Sequence, residues 1–202
     1  MQMDSKEKMI HIQKAAFKLF LNNGYEATTI RTICKKAGVE APTIYNFFTS
    51  KKGLFLSIVS SLWEKYLEES SCYFNDTSNI SPDKKLFAFF KFSIKYTLKN
   101  LDETRFFLRF SLFPPSEVQE DTISFLLQQQ KHKIDYIGKI VNDGIQQELI
   151  SASQDQATNI FMKFVNSNTF DIIFSHWSPS EEELLEAWNT FFACLLNRNL
   201  NH

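Results

Sequence analysis

Residues that interrupt helices are scarce in this chain. Five glycines and five prolines among 202 residues are too few for the many tight turns of an all-β protein, and they suit helices joined by short connections. Cysteine is scarcer still. Cys34, Cys72 and Cys194 are odd in number and far apart, with no C-x-x-C pair and no Cys/His cluster at zinc spacing. A disulfide framework and a sequence-local zinc site are thereby excluded, and buried or partly buried free thiols are expected. No run of about 18 apolar residues occurs, so no membrane span is expected. The first eight residues lead into an amphipathic segment without the apolar core of a signal peptide, and a cytoplasmic protein is expected. Missing too are a Gly-rich phosphate loop, G-x-S-x-G, H-E-x-x-H and any clustered carboxylate–histidine set. Neither an enzyme nor a cofactor is expected.

What is present is charge asymmetry and helical periodicity. The net charge is −1, but residues 1–52 hold nine Lys/Arg against four Asp/Glu, a balance of +5, and residues 53–202 hold thirteen against nineteen, a balance of −6. A basic head on an acidic body is what a protein shows when one end meets a polyanion. A solvated lysine-rich helix could produce the same asymmetry.

Ile10, Ala15, Ala16, Phe17, Leu19 and Phe20 recur at the spacing of one buried helical face, and Gly24 is placed to end that helix. A short helix capped by Thr28 or Thr29 follows, with Ile30, Ile33 and Cys34 or Ala37 facing inward. Ala37-Gly38-Val39 forces a turn, and a third helix runs from about Ala41 to Phe47 with Pro42 tolerated in its first turn. Two short helices broken by a glycine turn and braced by a longer one make a helix-turn-helix. A fourth helix begins after Ser50 and keeps period to about Cys72. Asn75 to Pro82 is the clearest linker. Helical stretches follow near 82–100, 102–112, 116–147, 153–175 and 180–199, with Asp102 and Ser153 as caps and Pro82 and Pro179 as first-turn prolines. Glu181-Glu182-Glu183 reads as a negative first turn. The fold class is all-α, with a three-helix head over residues 1–52 and a larger helical body over 53–202.

Gly24-Tyr25-Glu26-Ala27-Thr28-Thr29, Ala37-Gly38-Val39, Tyr45-Asn46-Phe47-Phe48 and Ser50-Lys51-Lys52-Gly53-Leu54 stand in an order and spacing that resembles the tetracycline-repressor (TetR) family across about 45 residues of the head. The resemblance implies a DNA-binding head and a body that binds a small molecule. It also implies a homodimer formed by the last two long helices. By that analogy Thr29, Tyr45 and Lys51 meet phosphates, and a helix N-terminus at Thr29 suits an anion. For base reading the candidates are Glu40, Ala41 and Thr43: Glu40 can accept from cytosine N4, Ala41 can touch a methyl group, and Thr43 can do either. Glu40 could equally serve the helix dipole. Arg31 projects from the motif's first helix. Family members often carry His or Tyr where Phe47 stands, and the neighbouring Asn46 could supply the polar contact. Tyr25, Ile30, Ile33, Val39, Ile44, Phe48 and Leu54 are expected in the head's core.

The sequence holds 21 phenylalanines. Most are expected as ordinary core; an aromatic-lined cavity for an apolar ligand is the functional alternative. Arg105, Arg109, His132, Asp135, Asn166, Asn168 and His176 are polar groups that could face such a cavity, and none is nominated. Ile160, Phe161, Phe164, Val165 and Asn168, with Leu184, Leu185, Trp188, Phe191, Phe192 and Leu195, give two terminal helices that would pair across a two-fold axis or pack only within one chain. The resulting expectation is a transcriptional regulator, a repressor released by a small apolar or aromatic effector. It would bind a palindromic double-stranded DNA operator as a homodimer, without a membrane partner. Alternatives are a redox-responsive regulator acting through Cys34, beside Lys35 and Lys36, and a helical protein-binding module without ligand control.

Overall fold

The structure is a computed structural model that describes residues 4–74 and 80–195, and all its regular structure is helical. The elements are α1 (Ser5–Asn23), α2 (Ile30–Ala37), α3 (Ala41–Phe48), α4 (Lys51–Phe74), α5 (Pro82–Lys99), α6 (Leu101–Leu112), a single 3-10 turn (Ser116–Val118), α7 (Gln119–Gln146), α8 (Gln154–Ser175) and α9 (Glu181–Leu195). No helix among the described residues is long and apolar enough to cross a membrane.

Most helix ends follow from local chemistry. Asp4 and Glu7 form a reciprocal capping box at the start of α1, and Thr29 and Thr32 form one at α2, each satisfying two otherwise unpartnered backbone donors. Ser50 caps α4 by accepting from the Gly53 N–H at 2.9 Å, and Ser153 caps α8. Pro82 opens α5 behind Ser81, while residues 75–79 of the expected linker and 196–199 of the expected last stretch lie outside the described residues. Two expected ends are corrected. Asp102 lies within the first turn of α6, where its charge suits the dipole, rather than capping it. Pro179 precedes the α9 cap, because Ser180 and Glu183 close a capping box there.

The chain divides into two compact units that do not break at 52/53. One comprises residues 1–68 and 102–126, the other 69–101 and 127–202. In the first, an aromatic cluster forms the core. Phe55 is fully buried, and its ring lies 5.5 Å from Phe20, 5.3 Å from Tyr25, 5.6 Å from Phe106 and 4.8 Å from Phe110. The head's helices therefore share their core with a segment that begins about fifty residues after the head ends.

In the second unit, α5, α7, α8 and α9 bury Leu86, Phe90, Ile137, Val141, Phe161, Trp188 and Leu195 in one cluster. Phe164 and Phe191 stack at 4.1 Å across α8 and α9. Lys91 and Lys95 of α5 both pair with Glu181 in the first turn of α9, and their hydrogen bonds hold the Glu181 carboxyl below the ordinary range. Most of the terminal-helix residues expected at a dimer face are spent on this core: Phe161, Val165, Leu184, Trp188, Phe191 and Leu195 are buried within the chain. Ile160, Phe170, Phe174 and Leu185 remain exposed. Cys34 is half-buried against the head core as expected, whereas Cys72 and Cys194, expected to be at least partly buried, are exposed.

Candidate nucleic-acid interface

The head is built by its inward side chains. Ile33 and Ala37 of α2, Ile44 and Phe48 of α3, and Ile12, Ala16 and Phe20 of α1 form one buried set, with Ile30, Val39 and Phe47 packed against it. Gly38 ends α2 at φ 63°, ψ 35°, a left-handed conformation that glycine takes without a Cβ penalty. The chain then runs extended through Glu40, whose carbonyl accepts from Thr43 N–H at 3.0 Å, and α3 begins with Pro42 in its first turn. His11 of α1 joins the carbonyl of Ala37 at 3.0 Å, a support for the end of α2 that periodicity alone did not show.

With Ile44 and Phe48 inward, α3 carries Pro42, Tyr45 and Asn46 exposed, and Ala41 and Thr43 half-exposed. Glu40 precedes them, exposed and making no side-chain cap. On α2, Arg31, Lys35 and Lys36 are exposed. Thr29 is exposed too, but its hydroxyl accepts from Thr32 N–H at 3.1 Å and its own N–H donates to Thr32 Oγ1 at 3.0 Å. The two groups expected to meet a phosphate are thus already engaged in the capping box. The structure places Thr29, Arg31, Glu40, Ala41, Thr43, Tyr45 and Asn46 along the two helices of the motif and the turn between them.

Lys51 stands apart from these. Its ammonium donates to the Tyr25 carbonyl at 3.2 Å and lies 4.0 Å from the centroid of the Tyr25 ring. Tyr25 is buried, and its hydroxyl donates to Glu117 at 2.7 Å. Burial, and then the Glu117 carboxylate, push the phenol far above its ordinary pKa. Lys52 pairs with Asp121 at 2.7 Å; their hydrogen bond raises the lysine and lowers the aspartate. Arg109 donates to the Leu21 carbonyl at 3.0 Å. Tyr25 was legible only as a core aromatic, and Arg109 only as a possible cavity residue. No local pattern links positions 92 and 88 residues apart.

The junction from α3 to α4 is tight. Thr49 sits at φ 65°, unusual for a β-branched residue, and Ser50 N–H donates to the Phe48 carbonyl at 2.7 Å. A Cβ at Gly53 would collide with that same carbonyl oxygen. Alanine favours a helix by about 1 kcal/mol over glycine, yet overpacking costs about 1–3 kcal/mol even where side chains can yield, and here a backbone atom must move. Gly53→Ala is expected to lower stability by about 1–2 kcal/mol in denaturant unfolding. A variant at least as stable as the parent would show that the junction relaxes freely.

These features define a helix-turn-helix protein: a short helix, a glycine turn and a second helix whose outer face is open, braced by α1. Residues 12–58 match the model of the bacterial regulatory proteins of the tetR family. Over 51 residues the chain is 39% identical to the HTH-type transcriptional repressor ComR of Escherichia coli (strain K12), a match covering 25% of this chain and 24% of ComR. Over 130 residues it is 25% identical to the probable HTH-type transcriptional regulator YttP of Bacillus subtilis (strain 168), covering 64% of this chain and 61% of YttP. Among solved structures, native NalD, the secondary repressor of the MexAB-OprM multidrug efflux pump in Pseudomonas aeruginosa, shares the fold with a TM-score of 0.75. That match covers 98% of this chain and 100% of NalD at 16% identity. By sequence over residues 12–58, and by fold over nearly the whole chain, the protein resembles the tetR-family regulators.

Proposed function

We propose that this protein is a transcriptional regulator that binds a palindromic operator as a homodimer, and that a small apolar or aromatic effector releases it from DNA, which makes it a repressor. The observation that carries the reading is α3: two residues of one face, Ile44 and Phe48, lock it to the head, and Thr43, Tyr45 and Asn46 are left outward. Its N-terminal residues are then available to base edges, and Glu40, Ala41 and Thr43 are the proposed readers. Thr29, Tyr45 and Lys51 are the proposed phosphate contacts, with Arg31 and Asn46 beside them on a head of net positive charge. Residues 1–52 are proposed as the DNA-binding part and 53–202 as the effector-binding and dimerisation part. For the second copy, Ile160, Phe170 and Phe174 of α8 and Leu185 of α9 are exposed apolar side chains in the helices proposed to pair. The effector rests on the family likeness and on the wealth of phenylalanine in the body.

Selection of bound duplexes from a random pool, followed by footprinting and sedimentation, tests this directly. The expected result is a protected pseudo-palindrome whose half-sites lie about 34–36 Å apart, bound by a dimer. A stable monomer at micromolar concentration that protects a single half-site would overturn the homodimer reading.

A further inference from the structure

The corner between α1 and α2 is held from far along the chain. α1 has no basic residue in its last turn, so its C-terminal carbonyls lack the cation that complements a helix C-terminus. Arg109 of α6 supplies one: Nη1 donates to the Leu21 carbonyl at 3.0 Å, and a Cβ at Gly24 would lie 2.7 Å from its Nη2. The guanidinium thus fits against α1 because position 24 carries no side chain. One residue on, the Tyr25 ring is stacked on Phe20 and edge-on to Phe55, which fixes its plane. Its hydroxyl donates to Glu117 in the 3-10 turn, a charge-assisted hydrogen bond. The same ring carries the Lys51 ammonium, which the Tyr25 carbonyl also holds.

We propose that Glu117 and Arg109 are positioning residues for DNA binding, which fix the α1–α2 corner and, through Tyr25, hold the Lys51 ammonium in place for a phosphate. The physical link runs in two steps. A phenol that donates to a carboxylate keeps more electron density on its oxygen and ring, and a richer ring attracts a cation more strongly. An ammonium has three donors; with one given to the Tyr25 carbonyl and one face turned to the Tyr25 ring, a donor is left for a phosphate oxygen. A lysine already held loses less rotamer freedom on binding than a free one. Arg109 acts on the same corner through the backbone, by tying down Leu21.

The inference rests on the reading of Lys51 as a phosphate contact, and the test separates the two. Binding of the full-length protein to a fluorescein-labelled random-sequence duplex of about 30 base pairs is measured by anisotropy between about 50 and 200 mM salt, because phosphate contacts are sequence-independent and set the salt slope. Glu117→Ala and Glu117→Gln remove the same charge, but the glutamine carbonyl can still accept from the tyrosine hydroxyl. Glu117→Ala is expected to weaken binding about three- to tenfold and to lower the magnitude of the salt slope by about one, and Glu117→Gln to recover most of both. Tyr25→Phe should match Glu117→Ala, and the double variant should be no worse than either single one, as two partners in one contact require. Arg109→Met is expected to weaken binding with the slope retained. Circular dichroism melting confirms that each variant is folded at the assay temperature.

Equal binding by Glu117→Ala and Glu117→Gln, or additive losses in the double variant, would overturn the assignment of Glu117. Unchanged binding in Arg109→Met would overturn that of Arg109. Lys51→Met distinguishes the layers. If it loses the same slope while Glu117→Ala does not, the positioning role fails and the phosphate contact stands; if it loses nothing, both fall.

Discussion

Phe55→Ala is expected to cost about 3–5 kcal/mol of unfolding free energy, the usual toll for removing a buried phenylalanine and leaving a cavity. The upper part of that range is expected because Phe55 is fully buried and its ring meets four others, from α1, the α1–α2 corner and two positions of α6. Aromatic pairs add about 0.5–1.5 kcal/mol each beyond the area they bury, and the pairs here share one ring, so the cavity cannot close by moving a single neighbour. A domain is stable by only about 5–15 kcal/mol in total, so the loss is a large share. It should show as a lower denaturant midpoint for the unit formed by residues 1–68 and 102–126. Phe55→Leu, which keeps most of the volume, should recover more than half. A loss below about 1 kcal/mol for the alanine variant would mean that the five-ring cluster is loosely packed.

The second large effect is on DNA. Tyr45→Phe combined with Lys51→Ala is expected to weaken duplex binding about a hundredfold and to lower the magnitude of the salt slope by about one. In the proposed interface the phenol would contribute a neutral hydrogen bond and the ammonium a counterion-releasing charge. Tyr45 is 50% exposed, and its hydroxyl packs nowhere in the head core, so folding should be unaffected by its removal. Thermal melting separates the two possibilities, and a folded double variant that binds random and selected duplexes as the parent does would remove both residues from the interface.

These two experiments probe parts of the molecule that were unequally legible. The periodicity of Ala15, Ala16, Phe20, Ile33, Ile44 and Phe48 and the Gly38 turn foretold most of the head's inward face, but Ile10, expected on that face, is exposed, and Ile12 is fully buried instead. Both of its short helices are amphipathic, with the Thr29 cap of α2 and the first-turn Pro42 of α3 in view, and local chemistry decides such helices. Glu40, Ala41 and Thr43 were read from their base-reading chemistry, and Tyr45 and Asn46 from the family resemblance; the structure leaves Glu40, Tyr45 and Asn46 exposed and Ala41 and Thr43 half-exposed. Less was visible at Lys51. A lysine behind Ser50 reads as a free point charge, whereas the fold lays it over an aromatic ring and ties it to a carbonyl. Thr29 was read as a free donor to phosphate, whereas its N–H is held by Thr32 in the capping box, which leaves its hydroxyl as the group a phosphate would meet. The terminal helices were read as a dimer face because they are apolar, but apolarity does not say which neighbour covers a residue. In the structure Phe161, Val165 and Leu184 are buried in one core cluster with residues of α5 and α7, while Ile160, Phe170, Phe174 and Leu185 stay exposed.

The scarcity of glycine and proline and the apolar periodicity determined an all-helical protein with a helix-turn-helix head, because helix formation and capping are properties of neighbours in sequence. DNA binding by that head came from the resemblance of its motif, with which the basic balance of the first 52 residues agrees. Tertiary structure decided what shares a core with that head. Phe106, Phe110, Arg109 and Glu117 are brought to it by chain folding, and a contact between residues some ninety positions apart leaves no periodicity to read. The compact units break after residues 68, 101 and 126, rather than at 52, for the same reason: buried apolar area sets the boundary of a unit, and that area is settled only when distant helices pack.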